Sequence, residues 1–227
     1  TQPFFKVNSF LHKINLHIYK LSFSLVFFNY LAYSHLLFLF FGAAIVNNFV
    51  LVRFLGLCPF LGVSNKISAA LGMGLATTFV LLITSASCFG INYFVLEKYN
   101  LDSLDLIMDI VIIAISVQLV EIVIRYLSID LYNALGIYLP LITTNCVVLG
   151  LVLLQNSLSY TFVEAIVFAL GAGVGFTLVL VLFSAIRERL AIADVPEPFK
   201  NTAIALITAG LLSLSFMGFA GFTGSAA

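Results

Sequence analysis

Charge is what this sequence most conspicuously lacks. Of 227 residues only 9% are charged, while 62% are hydrophobic. A soluble domain needs roughly 25% charged residues to solvate its surface, so a water-facing globular exterior is excluded and lipid must act as the solvent. The 10 basic and 10 acidic residues cancel, and no basic block occurs. A nucleic-acid partner therefore finds no electrostatic footprint. Trp is absent, which leaves the 9 Tyr and some of the 23 Phe to sit at the membrane interfaces. Cysteine is scarce and odd in number: Cys58, Cys88 and Cys146 all fall in apolar stretches. That is not the framework of a disulfide-stapled secreted domain.

What is present is a series of apolar runs. Residues 1–32 stand apart, with Lys6, Lys13, Lys20, His12 and His17 and no acid, and the first Met is Met73. This segment is expected to be a leader outside the native fold, and residues 33–227 a six-helix membrane domain. Six runs near the ~20 residues of a spanning helix are expected at about 34–57, 68–95, 104–127, 131–154, 160–186 and 201–222. Ser64-Asn65-Lys66, Glu97–Asp105, Ser128-Ile129-Asp130 and Gln155-Asn156-Ser157 separate them, and Pro196 and Pro198 block helix continuation in the last break.

Lys and Arg distribution orients the domain. Arg53, Lys66, Arg125, Arg187, Arg189 and Lys200 fall on one side, against Lys98 among Glu97, Asp102, Asp105 and Asp109 on the other. The first side is expected to be cytoplasmic and both termini periplasmic. The leader lysines oppose this assignment but lie outside the expected domain.

The chain also resembles itself. Gly72-Met-Gly-Leu-Ala-Thr-Thr-Phe-Val-Leu-Leu-Ile-Thr-Ser-Ala86 aligns on Gly171-Ala-Gly-Val-Gly-Phe-Thr-Leu-Val-Leu-Val-Leu-Phe-Ser-Ala185, and Cys58-Pro-Phe-Leu-Gly62 on Cys146-Val-Val-Leu-Gly150. Halves of about 33–127 and 128–222 would each hold three helices, so the second half enters the membrane inverted. Such folds place interrupted helices and the functional site near the midplane. The expected interruptions are Asn47-Asn48 with Gly56-Leu-Cys-Pro59 in the first helix, and Gly136, Pro140 and Thr143-Thr144-Asn145 in the fourth. Cys58 and Cys146 then occupy matching places. They are either half of a four-thiolate cluster site or two small buried hydrophobes. Cys88 has no counterpart and reads as packing. Glu121 with Arg125 reads as an ion pair along one helix face, and Glu164 as a charge suited to a helix start.

Several stretches carry a specific likeness. Val46-Asn-Asn-Phe-Val-Leu-Val-Arg-Phe-Leu-Gly-Leu-Cys-Pro-Phe60, Leu139-Pro-Leu-Ile-Thr-Thr-Asn-Cys146, Ala185-Ile-Arg-Glu-Arg-Leu-Ala-Ile-Ala-Asp-Val-Pro196 and Ala203-Ile-Ala-Leu-Ile-Thr-Ala-Gly-Leu211 closely resemble the A-subunit family of the Rnf electron-transport complexes of bacterial inner membranes. The likeness runs from about Tyr33 to the C-terminus. It implies a six-helix membrane protein paired with the homologous E subunit in opposite orientation, together with the B, C, D and G subunits. It further implies a [2Fe-2S] cluster shared by the pair, with Cys58 and Cys146 supplying half its ligands and Thr144 and Asn145 beside it. The complex would pass electrons between ferredoxin and NAD and couple them to Na⁺ or H⁺ transport, with no stand-alone catalytic site in this chain. The competing reading from the residues alone is an inverted-repeat secondary transporter for a small solute, and a purely structural scaffold is the third.

Overall fold

A computed structural model describes residues 33–64, 66–92, 94, 105–127, 141–142, 144–194, 196–200 and 202–220. The expected leader, residues 97–104 of the Glu97–Asp105 break, the Ser128–Asp130 break, and Gly136, Pro140 and Thr143 lie outside the described residues. The chain divides into a leading unit ending at Phe38, whose described residues 33–38 are helical, and a second unit from Leu39 onward.

Within the second unit every described regular element is helical. A π-helical turn, Gly42–Val46, is followed by irregular backbone and then α1 (Leu57–Val63), α2 (Ile67–Ile91), α3 (Asp105–Leu127), α4 (Cys146–Ser157), α5 (Phe162–Leu190) and α6 (Thr202–Ala220). A 3-10 turn, Glu197–Phe199, stands between α5 and α6, where Pro196 and Pro198 prevent a longer helix. Among the described residues three helices are long and apolar enough to cross a membrane, namely Ile67–Ile91, Leu106–Val123 and Phe162–Leu190. The α4 and α6 helices are apolar but shorter. Phe79, Ile115, Ile122, Leu178 and Leu214 are exposed, the apolar outward surface of a chain solvated by lipid.

The core is built on the α2–α5 pair. The two helices cross where each places a glycine under the other's threonine. A Cβ on Gly74 would stand 2.6 Å from Thr177 Oγ1, and one on Gly173 would stand 2.6 Å from Thr78 Cγ2. The hydroxyls meet at 3.4 Å, and each donates within its own helix at 2.8 Å, Thr78 to the Gly74 carbonyl and Thr177 to the Gly173 carbonyl. Small residues at such a crossing let backbones approach closely, the main source of helix affinity in lipid. Phe60, Phe176, Phe183, Met73 and Leu151 fill the space around it. At the start of α5, Glu164 accepts the Thr161 N–H at 2.9 Å within a capping box, the role expected of its charge.

The structure differs from the sequence reading in three places. The first apolar run is interrupted where expected, at Asn47-Asn48 and Gly56, but the break takes in all ten residues from 47 to 56. The triplet Gln155-Asn156-Ser157 is not a turn but the last turn of α4, and the chain bends after it, at Leu158 and Ser159. Asp109, grouped by sequence with the outer charges, lies inside α3 with its side chain fully buried.

Candidate functional site

The two interrupted segments meet each other. After the π-helical turn the Asn47 N–H closes on the Gly42 carbonyl at 2.7 Å. Asn48, buried, donates from Nδ2 to the Ala44 carbonyl at 3.0 Å, and its Oδ1 accepts the Val50 N–H at 3.0 Å. Backbone freed from a helix inside a membrane must find partners within the protein. Asn48 supplies two of them, and Ser213 on α6 supplies a third by donating to the Leu51 carbonyl. Phe49, Val50 and Leu51 are buried here, whereas Arg53 and Phe54 are exposed.

Two left-handed residues steer the chain back into α1: Phe54 at φ 55° and Gly56 at φ 79°. Glycine is required at 56 by space as well as by conformation. A Cβ there would lie 2.6 Å from Val147 Cγ2 and 3.0 Å from the Phe176 ring. The bare backbone at Gly56 instead brings its N–H to Cys146 Sγ, at 2.8 Å. Cys58 follows two residues later and is exposed, while Cys146 is half-buried. The structure thus brings together the two segments whose cysteines the repeat pairs. Cys88 is fully buried in the core cluster away from them, in agreement with its reading as packing.

On the second segment, Asn145 caps α4: its Oδ1 accepts the Val147 N–H at 3.1 Å. Its Nδ2 is buried and has no hydrogen-bond partner among the described residues. A buried donor left unsatisfied costs about 1–3 kcal/mol, and this one stands beside Cys146. Thr144 is exposed. Cys146 is the first residue of α4, where free N–H groups and the helix dipole favour negative charge.

A two-iron cluster held by four thiolates requires acceptors that tolerate negative sulfur and donors aimed at them. The donor set here fits one half of such a site. It has two thiols, one backbone amide on a thiol sulfur and one unspent side-chain amide. Among the described residues no group of three or more His, Cys, Asp or Glu could complete a metal site within this chain.

Two polar contacts outside the cysteine region had no clear sequence signal. Gln155, buried, accepts from Ser85 Oγ at 2.7 Å, and Ser85 Oγ also reaches the Ala165 carbonyl at 3.3 Å, tying α4, α2 and α5 together. Asn156 Nδ2 donates to Asp109 Oδ2 at 2.7 Å. A carboxylate inside the expected 104–127 span was the available hint for Asp109, but the charge count grouped it with Glu97, Asp102 and Asp105 on the outer side.

The family described as Rnf-Nqr subunit, membrane protein, matches residues 36–223. Among curated proteins, the A subunit of the ion-translocating oxidoreductase complex of Serratia proteamaculans is 58% identical over 185 residues, covering 82% of this chain and 96% of that protein. The protein of the same name from Syntrophotalea carbinolica is 57% identical over 188 residues, covering 83% and 97%. That of Shewanella denitrificans is 56% identical over 180 residues, covering 79% and 94%.

Proposed function

This chain belongs to the Rnf-Nqr family of membrane subunits and is a subunit of an ion-translocating oxidoreductase complex, and from that premise we propose that Cys58 and Cys146 supply half the ligands of a [2Fe-2S] cluster shared with the homologous E subunit. Its enzymatic role is that of a translocase component, with no stand-alone catalytic site. The observation that carries the cluster reading is the Gly56 N–H on Cys146 Sγ, which joins segments 90 residues apart at their cysteines. A cluster in this position supplies one-electron transfer across the boundary between the two proteins.

The chain's own residues hold and tune the sulfurs. The Gly56 amide and the start of α4 stabilise negative charge on Cys146. Asn145 Nδ2, without a partner among the described residues, would be a second donor, and Thr144, exposed one residue earlier, would lie toward the boundary. The exposure of Cys58 supports a ligand set completed from outside the chain.

The domain is proposed to hold six spans in two inverted halves. Support comes from the Thr78–Thr177 contact, at the same 99-residue separation on which the Gly72 and Gly171 stretches align. The recurrence of a short cysteine-bearing helix followed by a long one, α1–α2 and α4–α5, supports it too. Residues 1–32 are proposed to lie outside this domain. The complex is proposed to sit in a bacterial inner membrane with both termini of this chain periplasmic, together with B, C, D and G subunits. Those subunits would bring the flavin and nicotinamide chemistry. Electrons would pass between ferredoxin and NAD with coupled Na⁺ or H⁺ movement. The solute-transporter reading is not favoured by relatives named as oxidoreductase subunits.

The test uses inverted membrane vesicles bearing the whole complex. Ferredoxin-dependent NAD reduction and cation uptake should both be present in wild type and both absent in Cys58→Ser and Cys146→Ser. Cation uptake that survived in those variants would sink the proposal.

A further inference from the structure

The α1 helix is seven residues long, Leu57–Val63. A helix so short has little stability of its own, so its buried Pro59, Phe60 and Val63 and what grips its two ends decide where it stands. Its leading end is gripped through Gly56 and Cys146. At its trailing end the last carbonyls lack intrahelical partners, and a side chain from α5 supplies one. Arg187 Nη1 donates to the Leu61 carbonyl and to Ser64 Oγ, each at 2.8 Å, and Ser64 is fully buried. One turn earlier on α5, Phe183 stacks on Phe60 with ring centroids 4.0 Å apart, and the guanidinium lies 5.9 Å from the centroid of the Phe183 ring. Glu188 closes the corner by accepting the Ile67 N–H at 3.1 Å, the first amide of α2.

The other cysteine-bearing helix is held by the same plan. Cys146 opens α4, and the far end of α4 is fastened to α2 through Gln155 and Ser85. Each short helix is therefore anchored at its far end by a long one, α5 for α1 and α2 for α4. The recurrence accords with the two proposed inverted halves, and in each the anchored helix carries a cysteine at its leading end. Cys58 is exposed, so its position follows that of α1. Arg189, exposed at the same end of α5, suffices as a cytoplasmic charge marker, whereas Arg187 is half-buried and turned inward.

We propose that Arg187 is a positioning residue for the cysteine pair: by gripping the trailing end of α1 it sets where Cys58 stands relative to Cys146. The inference rests on the cluster reading above. Both bonds leave one guanidinium nitrogen, Nη1, so a lysine ammonium, shorter in reach but with three donors on one nitrogen, replaces them in part.

The experiment is carried out on the purified whole complex with Arg187→Gln, Arg187→Lys and, as control, Arg189→Gln. Hydrogen exchange of the segment 57–64 reads the grip directly. Iron content, the electron paramagnetic resonance line shape and the midpoint potential of the cluster read its consequence. Arg187→Gln should raise exchange in that segment about tenfold or more, the scale of one charge-assisted hydrogen bond. It should also alter line shape and potential at unchanged iron content. Arg187→Lys should restore both in part, and Arg189→Gln should change neither. Exchange at the wild-type rate in Arg187→Gln, or an unaltered spectrum and potential despite faster exchange, overturns the proposal. Where Arg187→Gln fails to assemble, Ser64→Ala removes one of the two acceptors and should give smaller changes of the same sign. Wild-type behaviour of Ser64→Ala in both readouts also overturns it. A wild-type complex with no iron signal would refute the cluster reading instead, and the exchange contrast would stand apart from it.

Discussion

Gly175→Ala is the substitution whose cost the structure specifies most fully. Gly175 lies on α5 against the π-helical turn, and a Cβ there would press on the Ala44 carbonyl oxygen, stand 2.8 Å from Ala44 Cα and 2.9 Å from Asn48 Nδ2. Carbon–carbon contacts settle at about 3.5–4.0 Å, and two of these three neighbours are backbone atoms that cannot rotate away. The turn must move off α5 by about 1 Å, and overpacking of this kind costs about 1–3 kcal/mol. The same movement pulls on the Asn48 Nδ2 bond to the Ala44 carbonyl, 3.0 Å in the native structure. Losing a buried hydrogen bond of that kind adds about 1–3 kcal/mol. Against this, Ala gains up to about 1 kcal/mol over Gly in helix propensity. The net is about 3 kcal/mol, roughly a hundredfold in the folding equilibrium. Gly210→Ala on α6 is the matched control, because nothing lies within 4 Å of its Cβ position. The assay is unfolding of the purified complex in mixed micelles with rising dodecyl sulfate, alongside the abundance of the chain in membranes. Equal unfolding midpoints for the two variants would refute the packing argument.

Asn145→Ala should cost about 1 kcal/mol through the lost cap on α4, a small drop in the same micelle assay. It should also shift the cluster potential relative to wild type; an unshifted potential would remove Asn145 from the site. Gln155→Leu leaves the Ser85 hydroxyl without its shorter contact and should destabilise by about 1–3 kcal/mol, whereas a neutral result would show that the Ser85–Ala165 contact suffices. In whole-cell cysteine labelling, probes at Lys66, Ser128 and Glu197 should react only from the cytoplasm and probes at Asp102 and Asn156 only from outside; a cytoplasmic Asp102 would reverse the orientation.

How much of this was legible beforehand depends on what kind of force acts at each position. Helix existence was readable because long apolar runs respond to a solvent property, and α2, α3 and α5 fall close to the expected spans. Gly74, Thr78, Gly173 and Thr177 were visible within a repeat, since close helix approach selects small residues at fixed spacing. Asn48 and Gly56 marked a break in the first run, but its length was not readable. The π-helical turn packs on α5 and α6, far off in sequence, and the broken segment after it is held by Ser213 of α6. Gln155 misled for a related reason. A polar residue in an apolar run signals a turn only when no partner awaits it inside, and Ser85 was 70 residues away. At the site, the pairing of the cysteine segments was legible. The exposure of Cys58 and the unspent amide of Asn145 were not, because both describe what surrounds a side chain rather than which side chain it is.

The central claim is that Cys58 and Cys146 are ligands of a shared iron–sulfur cluster in this translocase component. Its most direct test is the electron paramagnetic resonance spectrum of the reduced complex, with spin count and iron content, for Cys58→Ser, Cys146→Ser and Cys88→Ser side by side. The first two should each lose one two-iron signal and two irons per complex while the complex still co-purifies, and Cys88→Ser should match wild type. Full spin count and iron content in Cys58→Ser and Cys146→Ser would contradict the account.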